Sequence, residues 1–566
     1  MSVPSFAVVI VLGMGLGSHN SATSPARGMP GPAAASEPAF QTPVQPPRAA
    51  PSAADGDCDL TAYDCAVLSV ERGDFGAAVA GLQQMLASAP RDLKALNLLG
   101  IALTGAGRID EANARFREAL SVAPGFNPAR KNLAVNEFNA GRLAPAERRF
   151  NQVLLHAPDD EIAHLHLGEI HYARKQLAAA VPHYEKSGAR LVTNPVWMLH
   201  YAACLLDQGQ TARAVTILDQ LSDGDASSRF EAGVALGRAG AYAEAARFFG
   251  SARSGYKDPH AAGYNQTLML VEAGDHAAAI RVAEELFRQD LKSGELYNLI
   301  SRAYVAADRI QDAYDALRTA VRLEPNEEQH YLDLALICLD HENFDLGLEI
   351  VDVGIRYRPE ARDLHLYRGV LLVMKGLVEP AEREFEQART LGPDGPVPYV
   401  ALAMAWMQSG NTPKAVDLLR GRMKASPRDA IVPFMFGVAL MRSGVDPTDD
   451  GAMEAMRAFQ DAIRLDPQLA GPRAELGKIL LGRGDTPQAI EHLERAVALD
   501  PENAAPAYSL AQAYRRTGDT ARAQELLARV SRLNAEGRGD DPDRELKRIV
   551  VRLVREGSPA SDRTGR

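Results

Sequence analysis

Between residues 95 and 105 the apolar side chains Leu96, Leu98, Leu99, Ile101, Ala102 and Leu103 leave almost no polar face. That density exceeds a single solvent-facing stripe, so the pattern predicts a helix buried on several sides. Gly107-Arg108 interrupts the run, and Ile109–Val122 then places Ala112, Phe116, Ala119 and Leu120 at helical spacing. A buried helix, a turn and an amphipathic helix make a helical hairpin, and this hairpin recurs. Ala78, Ala112, Ala146, Ala180, Ala214, Ala245, Ala279, Ala313, Gly347, Ala381, Ala415, Ala455, Ala489 and Ala523 are 34 residues apart in eleven of thirteen steps, with one step of 31 and one of 40. Pro90, Pro124, Pro158, Pro325, Pro359, Pro393, Pro427, Pro467 and Pro501 keep the same period out of phase. The small residue marks a close approach of two helices. The proline lacks an N–H, clashes with the preceding turn and so marks a boundary. Such a period means a stacked array, in which each hairpin buries its apolar face only against its neighbours.

Between these markers the pattern resembles the tetratricopeptide (TPR) repeat, whose signature runs from an aromatic through Leu-Gly and Tyr to Ala, Phe and a closing Pro. Leu99-Gly100, Ala112, Phe116 and Pro124 match it, as do Gly168, Ala180 and Tyr184; Tyr297, Tyr304, Ala313 and Pro325; and Gly477, Ala489 and Pro501. The resemblance covers fourteen repeats over residues 59–537 and implies an all-α fold, a right-handed α-solenoid of 34-residue hairpins. Repeats five to seven match least: Pro195 is displaced, and closing prolines near residues 225 and 293 are missing. Pro145, Pro380, Pro413 and Pro487 fall at the start of second helices, where a missing N–H costs nothing. Pro182 lies deeper and is expected to kink its helix.

In the TPR family, ligands usually lie along the first helices, at positions three before, one after and four after the Leu-Gly glycine. For repeats nine to twelve the resemblance therefore implies a partner-binding groove of Leu332, Leu336, Leu339, Leu366, Val370, Val373, Val400, Met404, Met407, Phe434, Val438 and Met441. An unbroken apolar row of this size, if open to water, marks a binding surface, and its methionines suit varied ligand shapes. The same positions elsewhere are more polar: Lys131, Glu169, Asn298, Arg302, Lys478, Gln512 and Arg515. Family members that bind chaperone tails hold a terminal carboxylate with a Lys/Asn clamp. Here Lys131 is followed by Val135 and Phe138, so that clamp is absent. The expected function is a non-catalytic scaffold for a protein or peptide ligand. The alternative is an accessory or docking subunit of a glycan-export or glycosyl-transfer machine.

The formal net charge of −11 over 566 residues argues against nucleic acid, which wants a basic stripe. No run of eighteen apolar residues occurs, so a conventional membrane span is not expected. Arginine in excess of lysine and abundant alanine give the composition a bacterial cast. Residues 1–22 contain the apolar run Phe6–Leu16 and read as a signal peptide or an apolar N-terminal segment, although Met1–Ser5 carries no Lys or Arg. Residues 23–58, rich in Pro and Ala, read as a disordered linker. An exported, periplasmic location follows if the segment is a signal, a cytoplasmic one if it is not. Residues 541–557 place Leu546, Ile549, Val550, Leu553 and Val554 on one face and read as a helix capping the last repeat, before a tail at 558–566. A basic amphipathic helix lying on lipid is the other reading of that segment.

Four cysteines are few for this length. Cys204 and Cys338 sit at first-helix packing positions. Cys58 and Cys65, two helical turns or about 10 Å apart if both are helical, pair only if Cys58 lies in a lead-in that folds back. Gly13-Met14-Gly15-Leu16-Gly17 has no following helix to hold a pyrophosphate. His164, His166 and His171 cluster in the fourth repeat, with His156 and His183 nearby. His164 and His171 replace packing aromatics of the repeat, and no H-E-x-x-H spacing completes a metal site. Arg72-Gly73-Asp74 and Arg483-Gly484-Asp485 sit at inter-helix turns, where Gly permits a positive φ and Asp caps the next helix; Arg538-Gly539-Asp540 repeats the tripeptide without that setting. No nucleophile, base and orienting group converge in a recognisable motif. Catalytic residues, metal ligands and cofactors are therefore not expected.

Overall fold

The computed structural model describes residues 61–392, 395–426, 428–446, 449–535, 549–551 and 553–554. Phe6–Leu16, the linker at 23–58, Cys58, Pro393, Pro427, Arg538-Gly539-Asp540 and most of 541–557 lie outside them. The described residues carry twenty-eight α-helices, one 3₁₀ helix and no strand, an all-α solenoid of fourteen helix pairs. They fall into two compact units that divide in sequence between Met269 and Leu270.

In the first unit the pairs are Ala62–Glu71 with Phe75–Ser88, Leu93–Gly105 with Ile109–Val122, Asn127–Asn139 with Leu143–Leu154, Glu161–Ala173 with Leu177–Glu185, Pro195–Asp207 with Thr211–Leu218, and Ala226–Arg238 with Tyr242–Ala252. These are repeats one to six. Repeat seven (Pro259–Glu272 with His276–Arg288) spans the division. The second unit continues with Gly294–Ala306 and Ile310–Leu323, Glu328–Asp340 and Phe344–Tyr357, Arg362–Met374 and Val378–Leu391, and Val397–Gln408 and Thr412–Ala425. Ile431–Arg442 with Asp450–Leu465, Ala470–Gly482 with Thr486–Leu499, and Ala504–Thr517 with Thr520–Ala535 complete fourteen. The helix read from Ile109 to Val122 has those bounds. Pro182 does not kink a long helix: the helix stops three residues later at Glu185, and the 3₁₀ turn Gly188–Thr193 follows.

Two small residues per repeat let the helices meet. Every alanine of the second-helix series is buried, none more than 2 % exposed. Where Gly347 replaces alanine, a methyl group would come within 2.7 Å of Leu371. A matching series runs along the first helices: Ala66, Gly100, Ala134, Gly168, Ala202, Gly233, Thr267, Ser301, Ala335, Gly369, Ala403, Gly437, Gly477 and Ala511, all buried. Its glycines follow the size of the side chain opposite. A Cβ at Gly100 would fall 2.3 Å from the Phe116 ring, at Gly369 2.5 Å from Phe385 and at Gly437 2.5 Å from Phe459. Gly168 and Gly233 meet Tyr184 and Phe249 at 3.0 Å. Where the corresponding second-helix residue is aliphatic, as Leu218, Leu317, Val351 and Leu419 are, the first helix carries Ala202, Ser301, Ala335 and Ala403. Repeats three and thirteen depart from this rule: Ala134 is paired to Phe150, whose ring stacks on His166 of the next repeat, and Gly477 faces Leu493, which a Cβ would approach to 2.5 Å.

Buried Cys204 and Cys338 are packing residues, and Cys65 is an exposed free thiol in the first helix. Asp74 and Asp485 cap their helices as expected, accepting from Ala77 N at 3.1 Å and Gln488 N at 3.3 Å. At the C-terminal end, Val550 and Val554 are wholly buried in the second unit's apolar cluster, with Ile549, Val551 and Leu553 packed against it.

Among the described residues, each of the fourteen inter-helix turns carries one residue with positive φ. Eleven are glycine (Gly73 to Gly518), whereas Lys175, Asp308 and Glu342 adopt φ of 58°, 57° and 54°. A left-handed conformation costs a non-glycine residue about 1–2 kcal/mol, partly offset because glycine loses more chain entropy on folding. Lys175→Gly, Asp308→Gly and Glu342→Gly are therefore expected to stabilise the protein by about 0.5–1 kcal/mol each in denaturant titration. Gly107→Lys, with φ 75°, is expected to do the reverse.

Candidate interaction surface

The apolar row of repeats nine to twelve is core, not an open groove. Leu332, Leu339, Leu366, Val370, Val373, Val400, Met404, Met407 and Phe434 are buried, and Leu336, Val438 and Met441 are half-buried against the same cluster. The expectation of an exposed row is corrected, for a physical reason. The first helices Glu328–Asp340, Arg362–Met374, Val397–Gln408 and Ile431–Arg442 lie directly against one another in succession. Ala401, Ala403 and Ala405, buried side chains of the third, leave room for that approach. Apolar surface that a partner would cover is already removed from water.

The first-helix face stays open in the first unit instead. At the same positions of repeats two to five, Asn97, Ile101, Thr104, Lys131, Val135, Phe138, Tyr172, Leu199, Ala203 and Leu206 are half-buried, while Leu165 and Glu169 are buried. Polar side chains between them join successive repeats. Asn132 Nδ2 donates to Asn97 Oδ1 at 3.0 Å, and Asn136 Nδ2 donates to Thr104 Oγ1 at 3.0 Å and to Asn113 Oδ1 at 3.1 Å. Lys131 Nζ lies 2.7 Å from Asp160 Oδ2. Burial works to raise the Asp160 carboxyl, but the bonds from Lys131 and the Ala163 N–H outweigh it and hold the group below its ordinary range.

Glu169 is the centre of a second polar contact. Its buried carboxylate accepts from Tyr184 Oη at 2.7 Å, within its own repeat. It also accepts from His200 Nδ1 of the next repeat at 3.0 and 3.1 Å. Tyr172 stacks on the His200 ring at a centroid distance of 4.0 Å. Burial first, and then the Glu169 charge, push the Tyr184 hydroxyl above its ordinary range, so it remains a donor. Sequence reasoning missed His200, which lies two residues before Ala202 and so falls between the three family positions. Its separation of about one repeat from Glu169 was the available signal. The other polar positions are likewise engaged: Asn298 donates to Asp333 at 2.7 Å, Arg302 pairs with Glu272 at 2.9 Å and Lys478 with Glu475 at 2.8 Å. Gln512 and Arg515 are exposed.

Two family models, both described as tetratricopeptide repeat, match the chain. One covers residues 103–167, 171–236 and 480–540, the other 66–128 and 332–396, together just over half of the sequence. The chain belongs to the tetratricopeptide repeat family. No curated protein matches it. Among solved structures, yeast Tom70 is similar over 77 % of this chain and 98 % of its own, with 16 % identity and a TM-score of 0.40. The APC/C hetero-tetramer Cut9-Hcn1 covers 80 % and 96 %, with 11 % identity and a TM-score of 0.34. YrrB, described as a TPR protein with an unusual peptide-binding site, covers 34 % and 96 %, with 18 % identity and a TM-score of 0.25.

The histidines are TPR packing residues that have taken on hydrogen bonds. Four residues before the small first-helix position, His164, Tyr331 and His365 each bond a proline carbonyl six residues upstream. His164 Nε2 is 2.8 Å from Pro158 O, Tyr331 Oη donates to Pro325 O at 2.9 Å, and His365 Nε2 is 3.1 Å from Pro359 O. With Nε2 donating, His164 Nδ1 is left to accept from His183 Nδ1 at 3.0 Å, and His171 stacks on the other side of His183. His166 is buried between Phe138 and Phe150. Among the described residues no group of three or more His, Cys, Asp or Glu is placed to hold a metal ion.

Burial, and then the neighbouring His164, His171 and Lys186, hold the His183 imidazole down at about 4. The unfolded chain takes up that proton near the ordinary value of about 6.5. Between the two values the unfolded state binds more protons, so stability falls as pH drops through this window and levels off below it. We predict that His183→Gln removes part of this loss. Denaturant titrations at pH 7 and pH 4.5 should show a smaller pH effect in the variant than in the wild type. An equal pH effect would show that His183 does not titrate in that window.

Proposed function

We propose that this protein is a non-catalytic scaffold that holds a partner polypeptide along the first-helix face of repeats two to five. The observation that carries the reading is the contrast between the two units. Of the family-typical contact positions, nine of twelve are buried in repeats nine to twelve, whereas ten of twelve are half-buried and chemically mixed in repeats two to five, all but Leu165 and Glu169. There Ile101, Val135, Phe138, Leu199 and Leu206 offer apolar contact, while Asn97, Asn132 and Lys131 hold donors in fixed places through their bonds across repeats. A preformed surface of this kind binds without first having to be ordered. Its aromatic residues, Phe138 and Tyr172, are the expected anchors.

A photoreactive residue placed at Val135, Tyr172 or Leu206 of the full chain, in its native cell, tests the proposal. The expected result is one discrete polypeptide adduct common to the three positions and missing from Arg117, which is exposed on a second helix. No adduct, or the same adduct from Arg117, would overturn the placement. Phe138→Glu in the same chain is expected to abolish the adduct while leaving the helical circular dichroism signal unchanged.

A further inference from the structure

Repeats four, ten and thirteen each carry hydrogen-bonding side chains at the same two places, four residues before the small first-helix position and nineteen residues later on the second helix. In repeat four these are His164 and His183, in contact at 3.0 Å. In repeat ten they are His365 and Glu384, in contact at 2.8 Å, and Arg368 also pairs with the Glu384 carboxylate. In repeat thirteen they are Arg473 and His492, and this pair has no acceptor. Arg473 Nε and His492 Nδ1 are both buried atoms without a hydrogen-bond partner. Among the described residues the Arg473 guanidinium makes no ion pair. Glu491, beside His492 in sequence, is exposed and bonds to neither.

We propose that Arg473 and His492 form an oxyanion site that takes a carboxylate or phosphate group from outside the repeat. Each side chain is half-buried as a whole, but the two unpartnered nitrogens are closed to solvent, so an anion reaches them once the side chains turn outward. The guanidinium donates from Nε and a terminal N–H, and His492 donates from Nδ1; charge-assisted bonds of this kind are about twice as strong as neutral ones. The anion supplies the acceptor that Glu384 supplies in repeat ten, since His492, a donor, stands at that position here. Burial lowers the His492 imidazole, as does the Arg473 charge, while Glu491 works the other way. A bound anion offsets Arg473 and favours the protonated ring, so binding strengthens as pH falls. The site lies in the second unit and is independent of the open face of repeats two to five.

Calorimetric titration of the full chain with inorganic phosphate, and separately with N-acetylglutamate, at pH 6 and fixed ionic strength tests this. The expected result is a single saturable site for at least one of the two, weakened about tenfold or more by Arg473→Gln. His492→Phe weakens it and abolishes its pH dependence. Arg495→Gln, an exposed neighbour on the same helix, leaves it unchanged. Tighter phosphate binding identifies a phosphorylated ligand, and tighter N-acetylglutamate binding an acidic side chain. The site is overturned if neither anion binds saturably, or if Arg473→Gln binds as the wild type does. Should Arg473→Gln fail to fold, binding that His492→Phe leaves intact overturns it equally.

Discussion

The structure depends on a fit between a residue with almost no side chain on one helix and a large one on its partner. In each repeat the first helix presents Gly, Ala, Ser or Thr where the second helix brings its bulk. In five of the six glycine cases the bulk is an aromatic ring. Interiors are packed near crystal density, so a gap or a surplus methyl group at such a crossing is felt directly. Because a hairpin has no other core, that crossing fixes the angle at which its outer faces meet the next repeat. The remaining features, including the turn glycines, the helix caps and the bonds between successive repeats, act on hairpins already set by this fit.

What the array then does depends on how closely successive first helices approach. In repeats nine to twelve they touch, and an apolar row becomes core. In repeats two to five, Asn, Lys, Glu and His hold neighbouring repeats by hydrogen bonds and leave half-buried apolar side chains between them. Polar groups in such places are useful only when satisfied, since an unpaired buried polar group costs about 1–3 kcal/mol. Asn136, Glu169 and His200 meet that condition. Arg473 and His492 do not. Among the described residues single nitrogens of Asn113, His276, His330 and Arg362 also lack a partner, but in repeat thirteen both members of the paired places do.

The hairpins were legible in the sequence because two local signals, a small residue and a proline, recur at one period. That is why Ile109–Val122 was bounded correctly and why Cys204 and Cys338 were placed in the core. The turns at Lys175 and Glu342 were not legible as left-handed from the side chains, which carry no preference for a positive φ, and Asp308 only weakly so, since aspartate tolerates it better than most. Exposure of the row from Leu332 to Met441 was not legible either. It is set by the distance between helices 34 residues apart, which the residues of any single repeat do not encode. The Glu169–His200 contact was hidden for the same reason, since it joins two repeats and belongs to neither pattern.

The size match between facing helices is tested most directly by exchanging it. Gly369→Val places a branched side chain where the Phe385 ring now stands, and Phe385→Ala empties that space. Each alone is expected to destabilise the protein, the first by about 1–3 kcal/mol through overpacking and the second by about 3–5 kcal/mol through a cavity. In a double-mutant cycle measured by denaturant unfolding, the account predicts that the double variant loses at least about 1 kcal/mol less than the sum of the two. Strict additivity would contradict it, because the two positions would then not be sharing one space.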